Sequence, residues 1–267
     1  MFSTMLREWR GRRGMSQMQL ALSADVSTRH VSFIESARSR PSAEMVLRLA
    51  EALDMPLRER NAMLLAAGFA PSYSESRLSD DELREVLAAT RRVLDAHDPF
   101  PGLVLDRYWN VVATNRAAAA FGAALPPALV GPPLNVFRAS LHPEGLARLT
   151  VNFAEWAHHL LATLRRGVER SGDERLAALL EEVSAYPNVR ALSPDEQRRV
   201  AEARAPVVVP CVLDTHAGRM RLFTTLTTFG SPRDITLDEL CIELFYPADE
   251  ATRTLLERAG RNTAPSP

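Results

Sequence analysis

Between Ser16 and Glu35 the sequence sets two short helices end to end across only three residues, and that spacing constrains the fold more than any other feature. Ser16-Gln17-Met18-Gln19 is a capping box: the serine hydroxyl can accept from the third amide of the turn while Gln19 reaches back to the serine N–H. The helix it opens runs through Ser23. Ala24-Asp25-Val26 makes the turn, and Ser27 caps a further helix that carries Val31 and Ile34 and ends at about Glu35. An earlier helix places Leu6 and Trp9 on one face and stops near Gly14. After Pro41-Ser42, Val46, Leu49, Ala50 and Leu53 fall at i, i+3, i+4 and i+7, an amphipathic core face. Pro56 starts a fifth helix, which ends at Gly68. Residues 1–70 therefore read as an all-α domain of five helices.

Capped helix, three-residue turn, capped helix is the helix-turn-helix pattern, in which one helix holds and the other reads DNA. Gln17 opens the holding helix, where its amide and the helix N–H groups can meet a phosphate. Thr28, Arg29, His30, Ser32 and Phe33 lie opposite the apolar pair Val31 and Ile34, facing the major groove. There an arginine can donate to both guanine acceptors, and the threonine methyl or Phe33 can touch a thymine methyl. Arg38 and Arg40, in the following loop, suit backbone phosphates. The competing reading is a five-helix bundle used for protein contacts, its polar face merely solvated. Spacing leaves the two readings near even, and charge does not decide between them. Behind a net charge of −1, residues 1–70 carry 10 Arg against 7 acids, leaving 22 Arg against 26 acids for residues 71–267. All 32 basic residues are Arg, which reads as base-composition bias, although Arg is also the better bidentate ligand for phosphate and guanine.

Residues 71–79, rich in Ser and Pro, are the expected linker, and the texture then changes. A helix through Leu83, Val86, Leu87 and Leu94 leads to Pro99. Leu103-Val104-Leu105 and Asn110-Val111-Val112-Ala113 form a hairpin pattern, with an Ala-rich helix starting at Asn115. Helices are expected at about 144–170, 173–184 and 194–204, the last behind Ser193 and Pro194. Strands follow over Val207–Leu213, Arg219–Thr228 and Cys241–Tyr246. Residues 80–260 thus read as an α+β domain, an antiparallel sheet with a helical insertion, and 261–267 as a disordered tail. With 267 residues, 46% of them apolar and 24% charged, the chain has room for two such domains with real cores. No run resembles a membrane span or a secretory signal, so a cytoplasmic protein with no membrane partner is expected.

The residues also resemble known families. Leu6 to Arg10, Gly14-Met15-Ser16-Gln17, Leu20-Ala21, Val26-Ser27, Val31-Ser32, Ile34-Glu35 and Pro41-Ser42 look like the XRE, or Cro/C1-type, helix-turn-helix. Leu103 to Val112, then Asn115, looks like the opening of a PAS-type domain. Thr227-Thr228-Phe229-Gly230-Ser231-Pro232-Arg233-Asp234-Ile235-Thr236-Leu237, followed by Glu243-Leu244-Phe245-Tyr246-Pro247-Ala248-Asp249, resembles the MmyB-like regulators. That resemblance implies a PAS-like ligand-binding domain behind the DNA reader, accepting a fatty-acid-like or other lipophilic molecule. No other cofactor is implied.

On residues alone, Phe137, Phe153, Trp156, Phe223, Phe229 and Phe245 supply enough aromatic area to line an apolar cavity, with ordinary core packing as the plainer reading of any one of them. His158 and His159 are neighbours on a helix and point about 100° apart, so they do not form a metal pair. Trp156 and His159, three apart, share a face and are placed at the pocket. One of the two histidines, Asn152 or Arg165 can orient an acid headgroup, with a solvated or internally satisfied histidine as the plainer reading. No serine sits in a nucleophile elbow, no Cys/His cluster has zinc spacing, and Asp214, His216 and Ser231 make a triad only on paper; no catalytic or metal residue is assigned. Cys211 and Cys241 read either as small buried hydrophobes or as a redox pair on neighbouring strands. The expected protein is a ligand-responsive transcription regulator and not an enzyme, acting as a homodimer whose twofold-related reading helices, about 34 Å apart, match a palindromic operator. The alternative is a constitutive DNA-binding regulator whose second domain only dimerises.

Overall fold

A computed structural model describes residues 1–78, 80–192 and 208–262. The chain divides into two compact units. The first comprises Met1–Leu78, Glu169–Ser171 and Gly230–Asp238; the second comprises Ser79–Val168, Gly172–Phe229 and Glu239–Pro267.

Five helices build the body of the first unit: α1 (Phe2–Arg12), α2 (Gln17–Ser23), α3 (Thr28–Glu35), α4 (Ala43–Ala52) and α5 (Leu57–Ala67). Local side chains start them. Ser16 accepts from the Gln19 amide at 3.2 Å while the Gln19 side chain accepts from the Ser16 N–H at 2.7 Å. Ser27 and Ser42 cap α3 and α4 through the His30 and Met45 amides. The turn between α2 and α3 is made by Asp25 in the left-handed region at φ 52°, with the Val26 N–H closing onto the Ala21 carbonyl. Leu6, Leu20, Val31, Ile34, Val46 and Leu49 are fully buried in one core with Trp9. The unit also holds a piece of chain from far along the sequence. The turn Ile235–Asp238 is laced to residues 74–76: Ser74 and Asp234 form a β-bridge, the Ser76 N–H donates to Asp234, and the Thr236 hydroxyl donates to the Ser76 carbonyl.

The second unit is built on a five-stranded antiparallel sheet, ordered β2 (Val111–Thr114), β1 (Gly102–Leu105), β5 (Cys241–Pro247), β4 (Gly218–Thr228), β3 (Cys211–Thr215). One face packs Val104 and Ile242 against Leu87 and Leu94 of α6 (Asp81–His97). Buried Asn115 ties that layer together: its oxygen accepts from the Gly102 and Ala118 amides, and its nitrogen donates to the Leu94 and Phe100 carbonyls. It starts α7 (Arg116–Ala123) at the same time. The opposite face looks across a space lined by α9 (Val136–Leu141) and α10 (Phe153–Ser171), and the insertion also contains α8 (Pro127–Val130), α11 (Glu174–Ser184) and α12 (Pro187–Arg190). Beyond the turn Ile235–Asp238, counted as α13, the last helix is α14 (Glu250–Asn262).

Several expectations change. The first long insertion helix begins at Phe153 instead of near 144, because Gly145 holds a non-helical backbone against the Ala139 carbonyl and Leu146–Leu149 forms only a 3-10 turn. The helices α8, α9, α12 and α14 were not anticipated, although Pro127 and Pro187 open α8 and α12 and the Asn135 and Asp249 side chains cap the starts of α9 and α14. Arg261 and Asn262 complete α14; the rest of the tail, the helix expected over 194–204 and the strand residue Val207 lie outside the described residues. Cys211 and Cys241 are not on neighbouring strands: β4 runs between them, and Cys211 pairs with Leu222 while Cys241 pairs with Thr228 at the far end of that strand. Burial pushes both thiols up to about 12. They are packed, free thiols and not a redox pair.

Candidate functional site

Two places in the molecule carry side chains arranged for binding, one in each unit. In the first, α3 turns Val31 and Ile34 into the core and leaves Thr28 and Arg29 exposed, with His30, Ser32 and Phe33 half-buried beside them. The Arg29 guanidinium lies over the Phe33 ring, 5.1 Å from its centroid, a cation–π contact that limits where the arginine points. After α3, Ala37 takes the left-handed conformation at φ 57° and the Arg38 N–H closes onto the Phe33 carbonyl, sending Arg38 and Arg40 out as exposed loop residues. Gln17 behaves differently. One N–H of its half-buried side-chain amide donates to Glu35 at 2.7 Å, which ties the start of α2 to the end of α3.

Glu35 is the residue that sequence reasoning passed over. Its side chain is 2% exposed, and it accepts from Arg10 Nε at 2.6 Å, Arg10 Nη2 at 3.0 Å and Gln17. Arg7 donates to its carbonyl and Ser3 to that of Ile34, so α1 is fastened to the end of α3 and the start of α2. Burial pushes the Glu35 carboxyl upward, but the Arg10 and Gln17 donors outweigh burial and hold it below its ordinary value. Glu35 follows Val31 and Ile34 at i+4 and i+1, on the apolar face of its helix; that position was the available signal.

In the second unit a cavity of about 530 Å³ opens between the sheet and the helical insertion. Its wall is mostly apolar: Leu103 from β1, Leu222 and Leu226 from β4, Phe245 from β5, Phe137 from α9 and Trp156 from α10 all line it. Trp109, held at φ 65° in the hairpin between β1 and β2, packs edge-on against Phe137 and lines it too. Asn135 aims α9 at this wall, accepting from the Phe137 and Arg138 amides while donating to the Tyr108 carbonyl of that hairpin.

Polar groups enter from two sides. On α10, His159, Thr163 and Arg166 follow one another at i, i+4 and i+7 and line the cavity. Burial, followed by the Arg166 and His158 charges, holds His159 below the ordinary histidine range, and its ring stacks on Trp156 at 5.3 Å. Arg166 is exposed and donates to the Thr163 hydroxyl at 3.0 Å. On the sheet, Thr224 and Glu243 line the opposite wall. Glu243 stands in register between Leu103 on β1 and Leu226 on β4, and its accessible surface belongs to the cavity. Burial pushes its carboxyl up to about 7, opposed by the Thr224 hydroxyl.

Of the pocket residues expected from sequence, Phe137, Trp156 and His159 line the cavity, and Phe245 joins them. The others do not. Strand alternation puts Phe223 on the far face of β4, stacked on Tyr246 at 5.3 Å. Phe229 lies past the end of that strand, among the residues packed on α6. Phe153 packs into the helical cluster of Phe137, Leu141 and Leu164. Asn152 is structural: it donates to the Pro210 carbonyl and accepts from the Val212 amide, pinning the start of α10 to β3. His158 and Arg165 are exposed, while Asp214 pairs with Arg219 at 3.7 Å. Among the described residues no group of His, Cys, Asp or Glu is placed to hold a metal ion, and no helix is long and apolar enough to cross a membrane.

Residues 6–60 match the helix-turn-helix family, and residues 86–259 match the MmyB-like transcription regulator ligand binding domain. Among curated proteins none matches the chain. The solved structure of an RNA-binding light-oxygen-voltage receptor aligns over 97% of this chain at 12% identity and a TM-score of 0.25. The chain spans 63% of that structure's length, and a likeness this faint carries no argument.

Proposed function

Because the chain belongs to the MmyB-like transcription regulators, a DNA-binding helix-turn-helix joined to a ligand-binding domain, we propose that it reads a specific operator and is controlled by a lipophilic acid held in the cavity of its second unit. The observation that carries this reading is the cavity itself. A space of about 530 Å³, walled by leucines and aromatics and bordered by an exposed arginine, suits a ligand with an apolar body and an anionic head. Arg166 and Thr163 are the assigned head-group partners, His159 a neutral hydrogen-bonding neighbour, and Trp109, Phe137 and Trp156 the contacts to the body.

On the DNA side, Arg29 and Thr28 are assigned to base edges, with His30, Ser32 and Phe33 beside them, and Arg38 and Arg40 to phosphates. The protein acts as a homodimer on a palindromic site, and the ligand acts by binding the DNA-competent and DNA-incompetent arrangements unequally, without being turned over. The decisive experiment is native mass spectrometry of the purified protein, followed by identification of released molecules and titration of each against operator DNA. A bound acyl-chain mass that changes DNA affinity supports the reading. A dimer that binds DNA and no lipid across a broad panel replaces it with a constitutive regulator whose second unit only dimerises.

A further inference from the structure

Glu243 is a poor residue with which to line a pocket for a plain hydrocarbon chain. It projects from the middle of the sheet, with Leu103 and Leu226 as its cross-strand neighbours, and among the described residues no cation pairs with it. Among the described residues the Thr224 hydroxyl is the one group that opposes the effect of burial on it, leaving carboxyl oxygens facing the cavity. An alkyl chain laid across this wall would strip water from the carboxyl and return nothing, the costly side of hydrogen bonding. A carboxylate head would fare worse beside the ionised form, since like charges in an enclosed site repel. The basic and hydroxyl groups that suit such a head, Arg166 and Thr163, are on α10 across the cavity.

Resting on the lipophilic-acid reading above, we infer that the ligand carries a hydroxyl group on its chain, remote from its acid head, and that Glu243 selects for it. A hydroxyl donates and accepts alike, so it pairs with either form of the carboxyl. That matters for a group whose enclosure lets it change protonation near neutral pH. Sites built to bond a hydroxyl discriminate strongly against the analogue that lacks it, because the protein group is then left unpaired.

The test uses the full chain stripped of lipid, with hexadecanoic acid and its mono-hydroxylated positional isomers as probes, read by quenching of Trp109 and Trp156 in the cavity wall. At least one isomer is expected to bind about tenfold more tightly than the parent acid, the size of one added hydrogen bond to a carboxyl. Glu243→Gln, which still donates and accepts, keeps most of that preference, whereas Glu243→Leu abolishes it and tightens binding of the parent acid. Parent acid binding as well as every isomer, or a preference that survives in Glu243→Leu, overturns the inference while leaving the lipophilic pocket intact. Failure of every acid to bind overturns both.

Discussion

The first unit buries Glu35 against Arg10 and Gln17, whereas the second encloses Glu243 between Leu103 and Leu226, with no cation paired to it among the described residues. The two carboxyls move in opposite directions, Glu35 below its ordinary value and Glu243 up to about 7. The first arrangement is internally complete, and it fixes how α1, α2 and α3 meet. The second leaves bonding capacity facing an open space. A surface that must present side chains in one register to DNA is served by the first kind of burial; a receptor is served by the second, because the missing partner arrives with the ligand.

The largest effect is expected from Arg10→Ala, which strands Glu35 as a buried charge and lowers the stability of the first unit by about 3 kcal/mol. Domain-resolved thermal unfolding should show the helical transition falling while ligand binding by the second unit is preserved; equal loss in both would erase the contrast. Next comes pH. A depressed carboxyl contributes stability above its unfolded pKa, so Glu35 supports the first unit until pH falls below its ordinary 4.5. A raised carboxyl does the reverse: the folded state keeps the Glu243 proton after the unfolded chain has lost it, and stability declines as pH rises from 4.5 to about 7. Stripped Glu243→Gln should therefore come close to the parent protein near pH 4.5 and exceed it by about 3 kcal/mol at pH 8. A constant difference across that range would show that the carboxyl is not enclosed as described.

On DNA, Arg29→Ala should remove about 1–2 kcal/mol of discrimination between sites, and Arg38→Ala should weaken all sites and reduce the salt slope by about one phosphate's worth. Binding titrations at several salt concentrations separate the two, and identical behaviour would reverse the assigned roles. The smallest effect is Ala37→Gly, which relieves the left-handed conformation after α3 and should add about 0.5–1 kcal/mol in a denaturant titration, with no change in the cavity.

The helical unit was legible because its signals are local. Ser16, Ser27 and Ser42 cap helices from one turn away, and Val46, Leu49 and Leu53 mark a core face by spacing alone. The sheet unit was legible in its strands and hairpin but less so in its pocket. Phe223 and Phe245 look alike in sequence, yet one stacks on Tyr246 and the other lines the cavity. Which face of a strand looks inward depends on what packs against each side, here α6 on one and the insertion on the other, and neither lies nearby in the chain.

Sequence by itself determined the helix boundaries of residues 1–67, the helix-turn-helix spacing and the two-part family pattern, since caps, turns and periodicities act over a few residues. Tertiary structure alone decided that Gln17 donates to Glu35, that Asn152 is a structural pin, that Cys211 and Cys241 are kept apart by β4, and that Glu243 faces the cavity. A polar side chain's role is set by whichever partners reach it once water is excluded, and those partners come from distant parts of the chain.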